Sequence, residues 1–122
     1  MSSLYTEIIQ DAYRRPAHRG TIEHPTHSHQ DENPLCGDML RVELRVENDR
    51  VVEAKFDGAG CAISQASAEL LLDRIQDQPL SVIRQLDKDA VLEELGMPTI
   101  SPARLKCALL SLGVLRGALR ES

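Results

Sequence analysis

Aromatic residues are almost absent from this chain of 122 amino acids, which contains no tryptophan, one phenylalanine and two tyrosines. Proteins that bind single-stranded nucleic acids stack the bases on aromatic rings, so this shortage excludes a base-stacking surface. Positive charge is also in the minority, because 14 Lys and Arg residues face 19 Asp and Glu residues, for a formal net charge of −5. Such a balance is poorly suited to coating a phosphate backbone or an anionic membrane. We therefore expect no nucleic-acid partner.

Long hydrophobic runs and an export signal are missing as well. No stretch approaches the roughly 18 consecutive apolar residues of a membrane span. The residues after Met1 lack the basic start and apolar segment of a secretory signal. Three cysteines, an odd number, also argue against a disulfide framework. We expect a cytoplasmic protein without a membrane partner, whose reduced thiols are available for metals or for sulfur chemistry.

The composition that remains is typical of one globular domain, which we expect to span residues 1–122. Residues 2–14 carry apolar side chains at helical spacing and predict a helix that ends before Pro16. Residues 16–34 are polar and contain all four histidines, which predicts a long loop.

Residues 39–56 predict two strands. Apolar and charged side chains alternate from Leu40 to Val46, Asn48-Asp49 provides a turn, and residues 51–56 return as the second strand. Since only one face of this pair is apolar, we expect an antiparallel sheet. The glycines at 58 and 60 are expected to end the second strand.

The rest of the chain predicts helices, over 61–75, 79–86 and 89–95, the last of these ending at Gly96. Ser101-Pro102 provides the N-cap and first-turn proline of a final helix. The apolar stripe expected to face the core in that helix consists of Leu105, Leu109, Leu112, Leu115 and Leu119. Strands followed by packed helices indicate an α+β domain.

Three cysteines lie at predicted junctions between elements. Cys36 precedes Gly37-Asp38 at the start of the first strand, Cys61 begins a helix, and Cys107 lies near the start of the last helix beside Lys106. Helix N-termini and nearby cations both favour a thiolate. Three thiolates and a carboxylate could complete a four-coordinate site for zinc or an iron–sulfur centre. The spacing is not that of a zinc finger, and each thiol could equally be a small buried hydrophobe.

Three segments occur in an order that resembles the signature of a known family. They are Asn33-Pro-Leu-Cys-Gly-Asp38, Gly58-Ala-Gly-Cys-Ala-Ile-Ser-Gln-Ala-Ser67 and Arg104-Leu-Lys-Cys-Ala108. Together they resemble the IscU/NifU N-terminal-domain family of iron–sulfur cluster assembly scaffolds, with features of its zinc-binding SufU relatives. The resemblance implies a SufE/NifU-like α+β fold, in which a small antiparallel sheet of about three strands packs against several helices. It also implies a monomer or a weak homo-oligomer.

The resemblance further implies a ligand set of Cys36, Asp38, Cys61 and Cys107. In the family these positions hold a labile cluster, here expected to be of the 2Fe–2S type, or Zn²⁺, and the aspartate is thought to tune lability. Cys107 corresponds to the candidate persulfide acceptor. The implied function is a scaffold, rather than an enzyme, that accepts sulfur from a cysteine desulfurase of the SufS, IscS or NifS type. It then assembles a cluster for recipient apo-proteins. The alternative is a SufU-type zinc-dependent sulfurtransferase that relays persulfide from the desulfurase.

Features of both branches are combined in this chain. Lys106 occupies the position where the scaffold branch has a histidine, as in the SufU branch, and we expect it to support Cys107 as a cation. The 45 residues between Cys61 and Cys107 match the scaffold spacing, without the insertion of the SufU branch. Ile100-Ser-Pro-Ala-Arg104 replaces the scaffold branch's chaperone-docking motif, Leu-Pro-Pro-Val-Lys.

The four histidines, His18, His24, His27 and His29, are expected to lie in a solvated loop rather than to bind metal, although His27 and His29 could bind an ion adventitiously. Two further alternatives are disfavoured. The ligand set includes a labile carboxylate, and glycine-rich segments lead to its cysteines. Both features argue against a purely structural zinc domain. A cysteine hydrolase needs a histidine beside a cysteine, and no histidine has such a place in the sequence.

Overall fold

The computed structural model describes residues 2–33, 37–96 and 101–120. The expected α+β architecture is confirmed, since three antiparallel strands pack against helices. The strands are β1 (His27–Asn33), β2 (Asp38–Glu47) and β3 (Arg50–Ala59). The helices are α1 (Ser2–Arg14), α2 (Ala62–Ile75), α3 (Leu80–Ile83), α4 (Lys88–Leu95) and α5 (Pro102–Arg120).

The β2–β3 hairpin forms as its sequence predicts. Its two-residue loop is Asn48-Asp49, and both residues have positive φ angles, 55° and 60°. This is the geometry of a type I′ turn, whose twist matches that of the flanking strands and which asparagine and aspartate tolerate well. Along β2, Leu40, Val42 and Leu44 are buried between half-exposed charged residues, which confirms the predicted alternation.

Strand β1 corrects the expectation that residues 16–34 are a loop. It pairs antiparallel with β2, with His29 opposite Val42, and the sheet order is β1-β2-β3. An edge strand needs only one hydrogen-bonded neighbour, and α5 packs against this one. The polar sequence of β1 does not indicate a strand, because most of its residues are exposed. Only His27, His29 and Asn33 are half-buried. His27 and His29 are therefore strand residues rather than parts of a loop.

Strand β3 ends before Gly60 but extends to Ala59, three residues beyond the predicted end at Phe56. Gly58 pairs with Leu40 of β2. A Cβ atom at position 58 would lie 2.2 Å from the backbone oxygen of Met39. The glycine therefore allows the two strands to stay close up to the last residues of the hairpin.

Residues 18–20 cover the outer edge of β3. The N–H of Phe56 donates to the oxygen of His18, and the N–H of Gly20 donates to the oxygen of Phe56, both at 2.8 Å. Covering an edge in this way satisfies backbone groups that would otherwise be available for pairing with another chain. The segment before β1 is thus fixed to the sheet.

The core lies between the inner face of the sheet and the helices. Phe56 is almost fully buried there, and Ser67 of α2 and Ser111 of α5 place their hydroxyl oxygens 3.2 Å apart where these helices cross. Of the predicted leucine stripe in α5, Leu112, Leu115 and Leu119 are buried, whereas Leu105 and Leu109 are half-buried. Within the described residues, no helix has both the length and the apolar character needed to cross a membrane.

Candidate metal centre

Three of the four predicted ligands meet at one end of the sheet. Asp38 is the first residue of β2, Cys61 is the N-cap of α2, and Cys107 lies in the second turn of α5. One carboxylate oxygen and the two Sγ atoms all lie within 4.8 Å of one another. The fourth predicted ligand, Cys36, lies outside the described residues.

The carboxylate of Asp38 is held in place by the loop that carries Cys61. Its Oδ1 accepts a hydrogen bond from the N–H of Cys61 at 3.0 Å, and its Oδ2 lies 3.5 Å from the Cys61 Sγ. The side chain is also buried, with 2% of its surface exposed. A carboxylate that is both buried and bonded on one oxygen presents the other oxygen in a fixed direction.

Gly60 makes this contact possible. Its φ angle is +148°, a conformation that side-chain-bearing residues rarely adopt, and a Cβ atom there would lie 2.2 Å from Oδ1 of Asp38. Glycine is therefore required at position 60 both by backbone conformation and by the approach of the carboxylate.

The two described thiols differ in exposure. Cys61 is exposed, whereas Cys107 is buried at 8% exposure. A reagent arriving from solvent therefore meets Cys61 first. Lys106 is exposed, and because adjacent helical positions point in different directions, its side chain leaves α5 on a different side from Cys107.

The donor set fits a tetrahedral thiophilic metal. With Zn–S near 2.3 Å and Zn–O near 2.1 Å, two ligands of a tetrahedral zinc stand about 3.6 Å apart. The Asp38 Oδ2 to Cys61 Sγ separation of 3.5 Å is close to this value. Cys61 also lies at the N-terminus of α2, where the helix dipole favours anionic ligands.

Arg19 fixes the end of β3 next to the site and was not identified from the sequence. Its guanidinium donates to the backbone oxygen of Gly58 at 3.0 Å, and it lies 3.4 Å from both Asp57 and Gln65 of α2. Arg19 thereby links β3 to α2, the two elements that the Gly60-Cys61 turn connects. Since its best-placed acceptor is a backbone carbonyl, no side-chain pattern in the sequence could have identified it.

None of the histidines joins this site. Among the described residues, the one group of three or more potential metal ligands is that of Asp38, Cys61 and Cys107. The ring of His18 instead lies 3.1 Å from the backbone oxygen of Ala54 and 3.4 Å from Asp73. His18 is partly buried, in contrast to the expectation of a solvated loop.

The sequence matches one protein family over almost its full length. The profile of the NifU-like N-terminal domain matches residues 4–121. The iron–sulfur cluster assembly scaffold protein IscU of Thermotoga maritima is 35% identical, and the alignment covers 97% of this chain and 94% of that protein. The zinc-dependent sulfurtransferase SufU of Bacillus subtilis is 31% identical, over 91% of this chain and 86% of that protein.

Solved structures share the fold. A crystal structure of FiSufU, from the SUF system of the thermophile Fervidobacterium islandicum AW-1, has a TM-score of 0.79 and 27% identity, and the match covers 97% of this chain and 98% of that one. The N-terminal part of a NifU-like protein from Brucella abortus has a TM-score of 0.77 over 98% of this chain and 94% of that one. At 16% identity, the latter similarity bears on the fold alone.

Proposed function

Because the chain belongs to the NifU-like N-terminal domain family, we propose that it is an iron–sulfur cluster assembly scaffold. It accepts sulfur from a cysteine desulfurase, assembles a labile cluster of the 2Fe–2S type, and passes it to recipient apo-proteins. The ligands are Cys36, Asp38, Cys61 and Cys107. The observation that carries this proposal is the convergence of one carboxylate oxygen and two thiol sulfurs within 4.8 Å.

Sulfur arrives as a persulfide on the desulfurase. The thiolate of Cys107 attacks the outer sulfur, the sulfur–sulfur bond of the donor breaks, and the donor cysteine leaves as a thiolate. The transferred sulfur then forms a persulfide on Cys107. Its conversion to the sulfide of a cluster requires two electrons, which an external reductant supplies. Because Cys107 is buried and Cys61 is exposed, we propose that the desulfurase gains access to the site from the Cys61 side.

Release of the cluster is favoured by the mixed ligand set. A carboxylate oxygen is a harder and weaker ligand for these metals than a thiolate, so a site with Asp38 in place of a fourth cysteine holds its cargo less tightly. The exposure of Cys61 allows a thiol of a recipient protein to reach the same metal. Reduced thiols belong in a reducing compartment, which supports a cytoplasmic location.

A second function, zinc-dependent sulfur transfer, is favoured by Lys106. This residue replaces the histidine of the scaffold branch, and the SufU of B. subtilis is 31% identical to this chain. In that case the same four residues would hold Zn²⁺ until the desulfurase docks, and the chain would relay persulfide without building a cluster. The 45-residue spacing between Cys61 and Cys107 favours the scaffold.

Anaerobic reconstitution separates the two functions. Metal-free protein is mixed with a cysteine desulfurase, cysteine and ferrous iron, and visible absorbance is followed before transfer to an apo-ferredoxin. A chromophore that moves to the ferredoxin supports the scaffold. A protein that stays colourless, and that carries persulfide on Cys107 only in a parallel sample supplied with zinc, supports the sulfurtransferase. A chain that acquires neither sulfur nor iron contradicts both.

Two serine variants identify the sulfur acceptor in the same assay. We expect Cys107→Ser to abolish persulfide formation while the fold is retained. Cys61→Ser serves as the matched control, because it removes the exposed thiol and leaves Cys107 in place. If Cys61→Ser blocks the first sulfur transfer and Cys107→Ser does not, the roles assigned to the two thiols are reversed.

A further inference from the structure

The persulfide proposed for Cys107 must be cleaved before its outer sulfur can join a cluster. That sulfur has to gain two electrons and leave as sulfide. A thiolate that attacks the inner sulfur achieves this, because the sulfur–sulfur bond breaks and hydrosulfide leaves. The attacking group must therefore lie close to the Sγ atom of Cys107, which becomes the inner sulfur of the persulfide.

Cys61 meets this requirement. Its Sγ atom lies within 4.8 Å of the Sγ atom of Cys107, and both residues are present as thiols. The sulfurs of a disulfide are about 2.0 Å apart, so these two atoms need to approach each other by less than about 3 Å. Because Cys61 is exposed and precedes the first turn of α2, a change of its side-chain rotamer allows this movement.

Asp38 holds the Cys61 thiol and accepts from it. The carboxylate Oδ2 lies 3.5 Å from the Cys61 Sγ, in an arrangement where the thiol donates. The other oxygen, Oδ1, accepts from the N–H of Cys61, so the carboxylate stays directed at this residue. The N-terminus of α2 also favours negative charge on the Cys61 sulfur.

We propose that Cys61 is the resolving thiol of this site, which attacks the inner sulfur of the Cys107 persulfide and releases the outer sulfur as hydrogen sulfide. A Cys61–Cys107 disulfide forms as the sulfur–sulfur bond of the persulfide breaks. Each cysteine sulfur loses one electron, and the outer sulfur gains both. The proton of Cys61 passes through Asp38 to the departing hydrosulfide. An external thiol reductant then restores the two thiols, so it acts on the disulfide rather than on the persulfide.

The leaving group favours attack on the inner sulfur. Attack on the outer sulfur would expel the thiolate of Cys107 and only move the persulfide to Cys61. Hydrosulfide is a weaker base than a cysteine thiolate, and the less basic group leaves faster. Attack from within the site also has an advantage over attack by a thiol from solution, because the two sulfurs are already held together and Cys107 is only 8% exposed.

This step rests on the proposed function, because it uses the persulfide that Cys107 is proposed to receive. It belongs to a stage at which no metal is bound. A metal ion held by Asp38, Cys61 and Cys107 would occupy the electron pairs of both sulfurs, so Cys61 could not attack. The step is therefore tested with metal-free protein.

The test follows a single turnover without added thiol. A cysteine desulfurase is loaded with its persulfide, separated from excess cysteine and mixed with an equal amount of the full chain in the presence of a chelator. Released sulfide is measured as methylene blue, and mass spectrometry of the protein and its peptides distinguishes an added sulfur from a Cys61–Cys107 disulfide. The test variant is Cys61→Ser, which keeps the backbone N–H that donates to Asp38.

We expect the original chain to release about one sulfide for each persulfide received and to acquire the Cys61–Cys107 disulfide. Cys61→Ser should retain the added sulfur on Cys107 and release sulfide about tenfold more slowly or worse. Dithiothreitol should then release that sulfur from the variant, which would show that its persulfide is intact and reducible. Circular dichroism should show that the variant is folded.

Equal rates of sulfide release from Cys61→Ser and the original chain would overturn the proposal, as would a disulfide that joins Cys107 to Cys36. A persulfide that stays on Cys107 of the original chain without release of sulfide would also overturn it, while the proposed function would stand. If no sulfur is added to Cys107 in either chain, the proposed function fails and this step fails with it.

Discussion

The N–H of Cys61 donates to Oδ1 of Asp38 across 3.0 Å, so one ligand of the candidate site positions the loop that carries another. The two residues are separated by the whole β2–β3 hairpin in sequence, and the hydrogen bond closes that hairpin at its open end. This hydrogen bond thus fixes two of the candidate ligands relative to each other.

Two substitutions of Asp38 separate its role as a ligand from its role in holding the loop. Asp38→Asn keeps an oxygen that can accept from Cys61 but loses the anionic ligand, whereas Asp38→Ala loses both. We expect zinc affinity to fall by about tenfold or more in both variants, as measured by chelator competition. Amide hydrogen exchange at Cys61 should accelerate only in Asp38→Ala. Wild-type zinc affinity in Asp38→Asn would contradict ligation by this carboxylate.

Gly60→Ala should damage the site directly, because the new Cβ would lie 2.2 Å from Asp38 Oδ1 and the φ angle of +148° is strained for alanine. We expect a loss of stability of about 1–3 kcal/mol and a marked loss of zinc affinity.

Gly113→Ala is the matched control. Among the described residues, no atom lies within 4 Å of a Cβ atom at this exposed position of α5, so alanine should stabilise the helix by up to about 1 kcal/mol. Urea unfolding and chelator competition measure both variants. Equal effects of the two substitutions would show that the approach of Asp38 does not constrain position 60.

Arg19→Gln should loosen the turn that precedes Cys61, because it removes the guanidinium that donates to Gly58. We expect zinc to dissociate several-fold faster while global stability falls by less than about 1 kcal/mol, since the ion pair itself is exposed. Arg45→Gln is the control, because Arg45 has a similarly exposed partner, Glu53, at 3.6 Å. An unchanged rate of zinc dissociation in Arg19→Gln would show that Arg19 does not stabilise the site.

Gly117→Ala tests how closely α5 packs on β1. A Cβ atom at 117 would lie 2.4 Å from Cδ2 of His29, so the ring or the helix must shift. We expect a destabilisation of about 1–3 kcal/mol. His29→Ala should relieve part of it, which a double-mutant cycle detects as non-additive changes in the free energy of unfolding. Strict additivity would mean that the two groups do not meet.

Chelation should lower the melting temperature, because metal binds the assembled ligands of the folded state in preference to the unfolded chain. At a free zinc concentration about 100 times Kd, the stabilisation is about 2.7 kcal/mol, or roughly 10 °C for a domain of this size. Differential scanning calorimetry with and without chelator measures the shift. A melting temperature that does not respond to chelation would contradict the coupling of metal binding to folding.

Local signals in the sequence were sufficient for the hairpin and most helix ends. Alternation along β2, the pair Asn48-Asp49, and Gly96 after α4 each specify their conformation within a few residues. Gly96 ends α4 as predicted, with a left-handed φ of 71°. Strand β1 lacked such a signal. Its conformation depends on β2 and α5, distant segments that supply the hydrogen bonds and the packing that its own polar side chains do not indicate.

The candidate site could be predicted only in part, for a similar reason. Residue chemistry alone left each cysteine as either a ligand or a small buried hydrophobe, and the resemblance to a family selected Asp38, Cys61 and Cys107 as a group. Their convergence depends on α2, α5 and β2 meeting at one end of the sheet, which is a property of the tertiary fold. Cys36 remains a prediction.

The contact of His29 with Gly117 has a mechanical consequence, because α5 is a stiff rod with Cys107 near its other end. The two positions on the rod are about 15 Å apart. With Gly117 as the fulcrum, a tilt of only about 5° would move the Cys107 end by about 1.3 Å, several times the tolerance of about 0.2 Å for a metal–ligand distance. The close packing of His29 against Gly117 thus affects the position of the Cys107 thiol near the other end of α5.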